Sequence, residues 1–133
     1  MRYTAKAHVR WDDLDAFGHV NNASYLTFAQ EARAEFTWFS RVRAGLEPLA
    51  EMVVARAEVD FLLPIYEGGF DIDCEMWFTK IGNSSFVMEY ELRSDKGLHA
   101  RIQTVQVTVD GESKKSRPIS QIEREFLEQY LEA

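Results

Sequence analysis

Between Trp11 and Tyr25 the chain reads Trp-Asp-Asp-Leu-Asp-Ala-Phe-Gly-His-Val-Asn-Asn-Ala-Ser-Tyr. Asp12, Asp13, Asp15, His19, Asn21 and Asn22 crowd together there, just ahead of an apolar pattern with helical spacing. A helix N-terminus presents backbone N–H groups without intrahelical acceptors, and it carries a partial positive charge. Donors of that kind stabilise the oxyanion that develops when a carbonyl is attacked. A carboxylate beside them can act as a general base on water or as a nucleophile. The parts needed to open an activated carbonyl therefore lie in one short segment. The same residue types also have a purely structural use, because Asp and Asn shape turns and cap helices. A single histidine such as His19 commonly serves only a local hydrogen bond.

The elements that must position this segment follow from the apolar periods. Tyr3, Ala5, Ala7, Val9 and Trp11 alternate with Thr4, Lys6, His8 and Arg10, the pattern of a half-buried strand. After the polar loop, Tyr25, Phe28, Ala29, Ala32, Phe36 and Phe39 recur at three- and four-residue steps and predict a helix from about Ala23 to Ser40. Asn21 or Asn22 is its expected N-cap. Four strands follow: Met52 to about Leu62, Phe70–Thr79, Ser85–Arg93 and Leu98–Val109, punctuated by Pro64, Gly68-Gly69, Ile81–Ser84 and Asp95-Lys96-Gly97. In the last strand Ala100 and Ile102 share one parity and Val105, Val107 and Val109 the other, which predicts a bulge. Ser120 with Glu123 forms a capping box for a short C-terminal helix whose stripe is Ile122, Phe126, Leu127, Tyr130 and Leu131. The expected architecture is one α+β domain over residues 1–133, an antiparallel sheet whose apolar face is covered by the early helix.

Composition narrows the function classes. The net charge of −7 lacks the basic footprint of a general nucleic-acid binder. No apolar run is long enough to span a membrane and no N-terminal stretch looks like a signal peptide, so a cytoplasmic protein is expected. The single cysteine, Cys74, alternates with Phe70, Ile72, Met76 and Phe78 and is expected to be a buried strand residue.

The Asp13, Asp15, Gly18, His19, Val20, Tyr25 pattern resembles the signature of the 4-hydroxybenzoyl-CoA thioesterase family, the hotdog-fold acyl-CoA thioesterases. The run from Leu14 to Asn22 is also similar to a stretch of plant-type acyl-ACP thioesterases. Val59-Asp60-Phe61 with Pro64, Gly82 with Ser84-Ser85, and Arg117-Pro118-Ile119 extend the resemblance along nearly the whole chain. It implies a hotdog fold, an antiparallel sheet wrapped around a long central helix. It further implies a homodimer, often paired again into a tetramer, with active sites shared between subunits. The activity implied is hydrolysis of acyl-CoA to a free acid and CoA, with no metal or redox cofactor. By the same resemblance Asp15 is the essential carboxylate, as nucleophile or as base. The backbone N–H near Asn22 polarises the thioester carbonyl, and His19 and Asn21 orient water or thioester. Gly18 lets the loop approach the ligand and Tyr25 lies in the substrate site. Lys80, Gly82, Ser84, Ser85, Lys114 and Arg117, with Lys115, supply the contacts to CoA and its phosphates.

Departures from the pattern keep rivals open. The acyl-ACP group has an Asn two positions after the key Asp, where this chain has Phe17. Hotdog hydratases separate Asp and His by five positions, whereas Asp15 and His19 are four apart. An enoyl-CoA hydratase-type enzyme and a non-catalytic acyl-CoA-binding protein are the two alternatives. Glu31 on the helix is a second candidate base, although Glu31 and Glu35 have a simpler use in solvent contact or in pairing around Arg33. Trp11, Phe17, Tyr25, Phe28 and Trp77 are the aromatic candidates for an acyl pocket.

Overall fold

Strands of alternating polarity can hide one face only if something apolar lies across it, and the early helix does this. The computed structural model describes residues 1–132. Its strands are β1 (Tyr3–Val9), β2 (Met52–Phe61), β3 (Phe70–Ile81), β4 (Ser85–Ser94) and β5 (Gly97–Thr108). They form one antiparallel sheet in the order β1-β3-β4-β5-β2. Helix α1 (Ser24–Ala34) continues through a wide π-helical turn at Glu35–Phe39 into α2 (Ser40–Arg43), and α3 (Gln121–Gln129) closes the chain. This is the expected hotdog arrangement.

Side-chain size explains how closely the long helix lies on the sheet. Ala29 and Ala32 are fully buried and let its backbone approach, while Tyr25, Phe28 and Phe36 fill the space on either side. Phe36 stacks on Tyr3 at 4.4 Å and on Phe78 at 5.8 Å between ring centres, and Phe126 of α3 joins it at 5.2 Å. A buried phenyl ring of this kind contributes about 1.5–3 kcal/mol through the water it sheds. Two hydroxyls bracket the π turn, with Thr37 Oγ1 donating to the Arg33 carbonyl at 2.9 Å and Ser40 Oγ to that of Phe36 at 2.8 Å. Such bonding back to the preceding turn competes with the regular ladder and favours a local distortion.

Several expectations are corrected. β1 ends at Val9, and Trp11 sits exposed in a 3-10 turn (Trp11–Asp13) instead of extending the strand. Neither Asn21 nor Asn22 caps α1. The N-cap is Ala23 with no side-chain bond, and Asn21 Oδ1 instead accepts from the Ala23 N–H at 2.8 Å. β5 keeps one parity inward through Ile102, Thr104, Gln106 and Thr108, so Val105 and Val107 lie on the outer face. The β4–β5 register shifts earlier, where Leu92 faces Ala100 but Arg93 faces Leu98, leaving His99 as the extra residue. His99 is buried there, its Nδ1 donating to the Leu63 carbonyl at 2.9 Å and its Nε2 2.6 Å from Ser94 Oγ. Periodicity misled because the inward face holds polar side chains that hydrogen-bond among themselves. In α3 the capping box forms as expected, but Ile122 points to solvent and the buried face is Phe126 and Leu127.

Candidate active site

The loop before α1 is a tight hairpin. Leu14 bridges Val20, the Asp15 N–H donates to the His19 carbonyl at 3.0 Å, and the Gly18 N–H donates to the Asp15 carbonyl at 3.0 Å. Gly18 takes φ +82°, the left-handed region where a side chain is strained. A Cβ there would meet nothing within 4 Å, so within the chain the glycine answers a turn requirement and not a close approach. Val20 N–H then donates to the Ile65 carbonyl and Asn21 N–H to that of Asp13, both at 2.8 Å, which fixes the entry of the chain into α1.

These contacts set the side chains. Asp15 Oδ1 accepts from the Phe17 N–H at 2.9 Å and lies 4.0 Å from His19 Nδ1, with its side chain 23% exposed. His19 Nδ1 donates to the Val20 carbonyl at 3.2 Å, because a carbonyl can only accept, so Nε2 is the unprotonated nitrogen of the neutral ring. Phe17 is solvent-facing and stacks along His19 at 6.2 Å. Among the described residues the Asn22 N–H has no acceptor, while the Ser24 N–H donates to the Asn21 carbonyl and the Tyr25 N–H to that of Asn22. One free amide therefore stands at the helix entrance on the loop that carries the Asp15 carboxylate. Asp13 is committed elsewhere: it is buried, and its two oxygens accept from the Arg10 N–H at 2.8 Å and the Arg10 guanidinium at 3.1 Å. Tyr25 is 3% exposed and packs edge-on against Phe61 at 5.2 Å, and this burial pushes its phenol above the ordinary range.

The residues expected to hold CoA gather at a different place. Gly82 N–H donates to the Ser85 carbonyl at 2.8 Å in the β3–β4 turn, the Ser84 carbonyl accepts from Thr108 N–H at 2.9 Å, and Ile119 N–H donates to the Asn83 carbonyl at 2.8 Å. Lys80, Gly82, Ser84 and Ser85 thus adjoin the segment that carries Lys114 and Arg117. Lys114 is exposed, with φ +63° in its turn. Arg117 is tied down. Its guanidinium grips Glu123 at 2.8 and 2.9 Å, and its Nε donates to the Val109 carbonyl at 3.0 Å.

The two groups stand at opposite ends of the sheet. The Asp15 loop follows Val9, which pairs with Phe70 at the start of β3, whereas Gly82 follows Ile81 at its end. At ~3.3 Å per residue, β3 separates them by about 36 Å. Within one chain the structure brings the loop residues together and the turn residues together, but not the two sets. A separate groove does not include Asp15 in its wall. It runs between β1 and α1, encloses about 680 Å³, and is lined by Asp13, Glu31 and Glu35 among others. Glu31 faces that groove, and Glu35 pairs with Arg43, not with the neighbourhood of Arg33. Of the aromatic candidates, Phe28 is core, Trp11 and Phe17 are exposed, and Trp77 is covered by the Arg2 guanidinium 3.5 Å from its ring centre. Cys74 is buried, and desolvation pushes its thiol up to about 12. Among the described residues no three His, Cys, Asp or Glu side chains group as metal ligands, and no helix is long and apolar enough to cross a membrane. Sequence reasoning missed Arg33 and Gln106: Arg33 sits among the apolar helix positions Ala29, Ala32 and Phe36, and the bulge expected in β5 put Gln106 on the polar side.

The chain belongs to the thioesterase-like superfamily, whose family model matches residues 9–129. Solved structures agree with this. A Thermus thermophilus thioesterase complexed with coenzyme A and Zn is 31% identical, with a TM-score of 0.78 over 96% of this chain and 92% of that one. Two others share the fold at lower identity. A thioesterase-superfamily protein from Jannaschia sp. has 20% identity and a TM-score of 0.85 over 98% and 94% of the two chains. A 1,4-dihydroxy-2-naphthoyl-CoA thioesterase from Synechocystis has 20% identity and a TM-score of 0.75 over 96% of each. No curated protein matches the chain.

Proposed function

We propose that the protein hydrolyses acyl-CoA thioesters, with Asp15 as the reacting carboxylate. The observation that carries this reading is the pairing on one loop of a part-exposed Asp15 carboxylate with the acceptor-free Asn22 N–H at the helix entrance. The amide and the positive end of α1 take the developing oxyanion. Asp15 then acts in one of two ways. As base it takes a proton from water while the water oxygen bonds to the carbonyl carbon. As nucleophile its own oxygen forms that bond, giving an anhydride that water opens. In both routes the C–S bond breaks and CoA leaves as a thiolate that takes up a proton. His19, with Nε2 free to accept, helps orient water, and Asn21 holds the loop. The relative with bound coenzyme A supports CoA as the carrier. No metal or redox cofactor is assigned to the reaction.

The length of β3 between the two groups bears on assembly. One chain cannot offer the Asp15 loop and the Lys80–Ser85 and Lys114 turns to the same CoA. β2 is an edge strand exposed along most of its length, with Val53, Val54 and Phe61 open to solvent. A long edge with exposed apolar side chains offers free backbone groups to a further strand. Antiparallel pairing of β2 with β2 of a second copy would set the partner's turns beside this chain's Asp15 loop. We therefore propose a homodimer with composite sites, and leave pairing of dimers into a tetramer to the same measurement. Light scattering on the eluted protein should give at least twice 15.4 kDa; a monomer with full activity would contradict the composite site.

The reaction is tested by thiol release from a panel of acyl-CoAs, wild type against Asp15→Asn. A loss of about 10²–10⁴-fold is expected for a catalytic acid–base group, and retention within twofold would exclude Asp15. Loss of enoyl absorbance without thiol would point to a hydratase, and binding without turnover to a carrier. A single turnover in ¹⁸O-water tests for the nucleophilic route: label in Asp15 requires an anhydride opened at the Asp15 carbon, whereas the base route labels the acid alone.

A further inference from the structure

The inward face of the sheet is apolar over β1, β3 and most of β4, and polar groups gather where β4 meets β5. Tyr90 of β4 and Thr104 and Gln106 of β5 are each at most 2% exposed and point toward the long helix. The Tyr90 hydroxyl and Thr104 Oγ1 lie 2.8 Å apart, and Gln106 Nε2 is 3.4 Å from Thr104 Oγ1 and 3.5 Å from the Tyr90 hydroxyl. Arg33 reaches down from α1 and donates to the Tyr90 hydroxyl at 2.9 Å. Among the described residues Arg33 pairs with no carboxylate, and unlike Arg41 and Arg124, which donate to the backbone carbonyls of Glu47 and Gly82, its one bond is to a side-chain hydroxyl. A guanidinium carries five donors and stays charged. One bond to a phenol leaves most of that capacity unused.

Arg33 also lines a cleft. Arg33, Gln106, Gln30 and Thr37 share its wall with Trp38 and Val54, and it encloses about 360 Å³. Polar groups set into an otherwise apolar wall orient and select ligands. A cation fixed by a buried phenol, with the rest of its planar fork of donors unused, matches a carboxylate by geometry and charge.

We propose that this cleft binds the carboxylate of a small organic acid through Arg33, with Gln106 bracing the Tyr90–Thr104 pair behind it. The carboxylate has two possible sources: the far end of an acyl group in transit through the active site, or a free acid. The first rests on the thioesterase reading, and the second does not. The cleft is bordered by β2, so the second copy proposed above would cover its mouth and bring the partner's Asp15 loop to the same end.

The test has a binding arm and a kinetic arm on the purified full-length protein. Calorimetry with glutarate against its neutral diamide, glutaramide, should show binding of glutarate only. Arg33→Met should weaken glutarate by about ten- to a hundredfold, the worth of a charged hydrogen bond, and Arg33→Lys should recover part of that. Gln106→Met, a smaller change on the same wall, should weaken it less and guards against misfolding of the first variant. In thiol release, the ratio of glutaryl-CoA to pentanoyl-CoA rates should exceed one and fall in Arg33→Met if the acyl end is the source. Glutarate binding with no such preference assigns the site to a free acid. If no ester of the acyl-CoA panel releases thiol while glutarate binds, the thioesterase reading fails and the carboxylate site stands. Equal affinity for glutarate and glutaramide, or no binding of either with no glutaryl preference, overturns the proposal.

Discussion

Replacing Arg117 with alanine separates a structural from a ligand-binding role for this residue. Its guanidinium makes a two-pronged contact with Glu123 at 2.8 and 2.9 Å and donates to the carbonyls of Val109 at 3.0 Å, Pro118 at 3.1 Å and Glu51 at 3.3 Å. It therefore joins the end of β5, the approach to β2 and the cap of α3. Glu123 Oε1 also accepts from the Ser120 N–H at 2.8 Å, and the Glu123 side chain is only 11% exposed. Alanine leaves that carboxylate nearly buried without its cation, a change that costs about 3–5 kcal/mol in a fully buried pair. The Arg117 side chain is 24% exposed, so water offsets part of the loss and about 2–4 kcal/mol is expected. For a domain of this size that corresponds to a fall in Tm of roughly 6–14 °C. The Arg117 hydrogen bond holds the Glu123 carboxyl below its ordinary range, against a smaller upward push from burial. A depressed folded pKa contributes stability that is complete above the unfolded value, about 4.3, and vanishes as pH falls through the folded one. The Tm gap between wild type and Glu123→Gln should therefore narrow below about pH 4. Calorimetric melts with a KM measurement for an acyl-CoA decide the matter. If Arg117→Ala keeps its Tm within about 2 °C of wild type, a shift worth less than 1 kcal/mol, and raises KM severalfold, the tie is unimportant and Arg117 serves phosphate.

Other expectations follow from single positions. Gly18→Ala keeps open space around Cβ but forces a left-handed backbone at φ +82°, so a loss of about 1–2 kcal/mol is expected. Gly68→Ala would put Cβ 2.7 Å from the Arg10 carbonyl oxygen, so its melting temperature should fall further than that of Gly18→Ala. Cys74, with its thiol raised to about 12, should be silent to a thiol reagent in the native protein and titrate once on unfolding; native labelling would mean that the core opens there. Glu91 sits among Arg2, Arg93 and Arg101, each 3.1 Å away. Burial would raise its carboxyl, but hydrogen bonds from Arg101 and Arg93 hold it below the ordinary value, so Glu91→Gln should destabilise at neutral pH with the difference fading in acid. Equal pH profiles of wild type and Glu91→Gln would count against that network.

What the chain's letters show well is what depends on neighbours in sequence. The Ser120–Glu123 box forms as written because both partners lie within one turn. The strand–helix–four-strand–helix order follows from periods of two and of three to four, and the Asp15 loop closes through bonds spanning a few residues. Gly18 was legible as a special position, though its use is the turn itself. The Asn N-cap failed for a local reason, since Asn21 closes a tighter bond to Ala23 before the helix starts.

Tertiary structure decided everything that depends on distant partners. Val105 and Val107 look like core and lie outside, because Thr104 and Gln106 find buried partners in Tyr90 and in each other. Lys114 and Arg117 look alike as basic residues, yet Arg117 is bound by an acid from α3. Asp15 and the Lys80–Ser85 turn look like one site and lie a strand's length apart. Apolar periodicity and turn residues report a residue's own backbone, so they carry over from sequence to element. The partner that satisfies a buried charge, and the distance between two motifs, are set only when strands far apart in the chain pair in register.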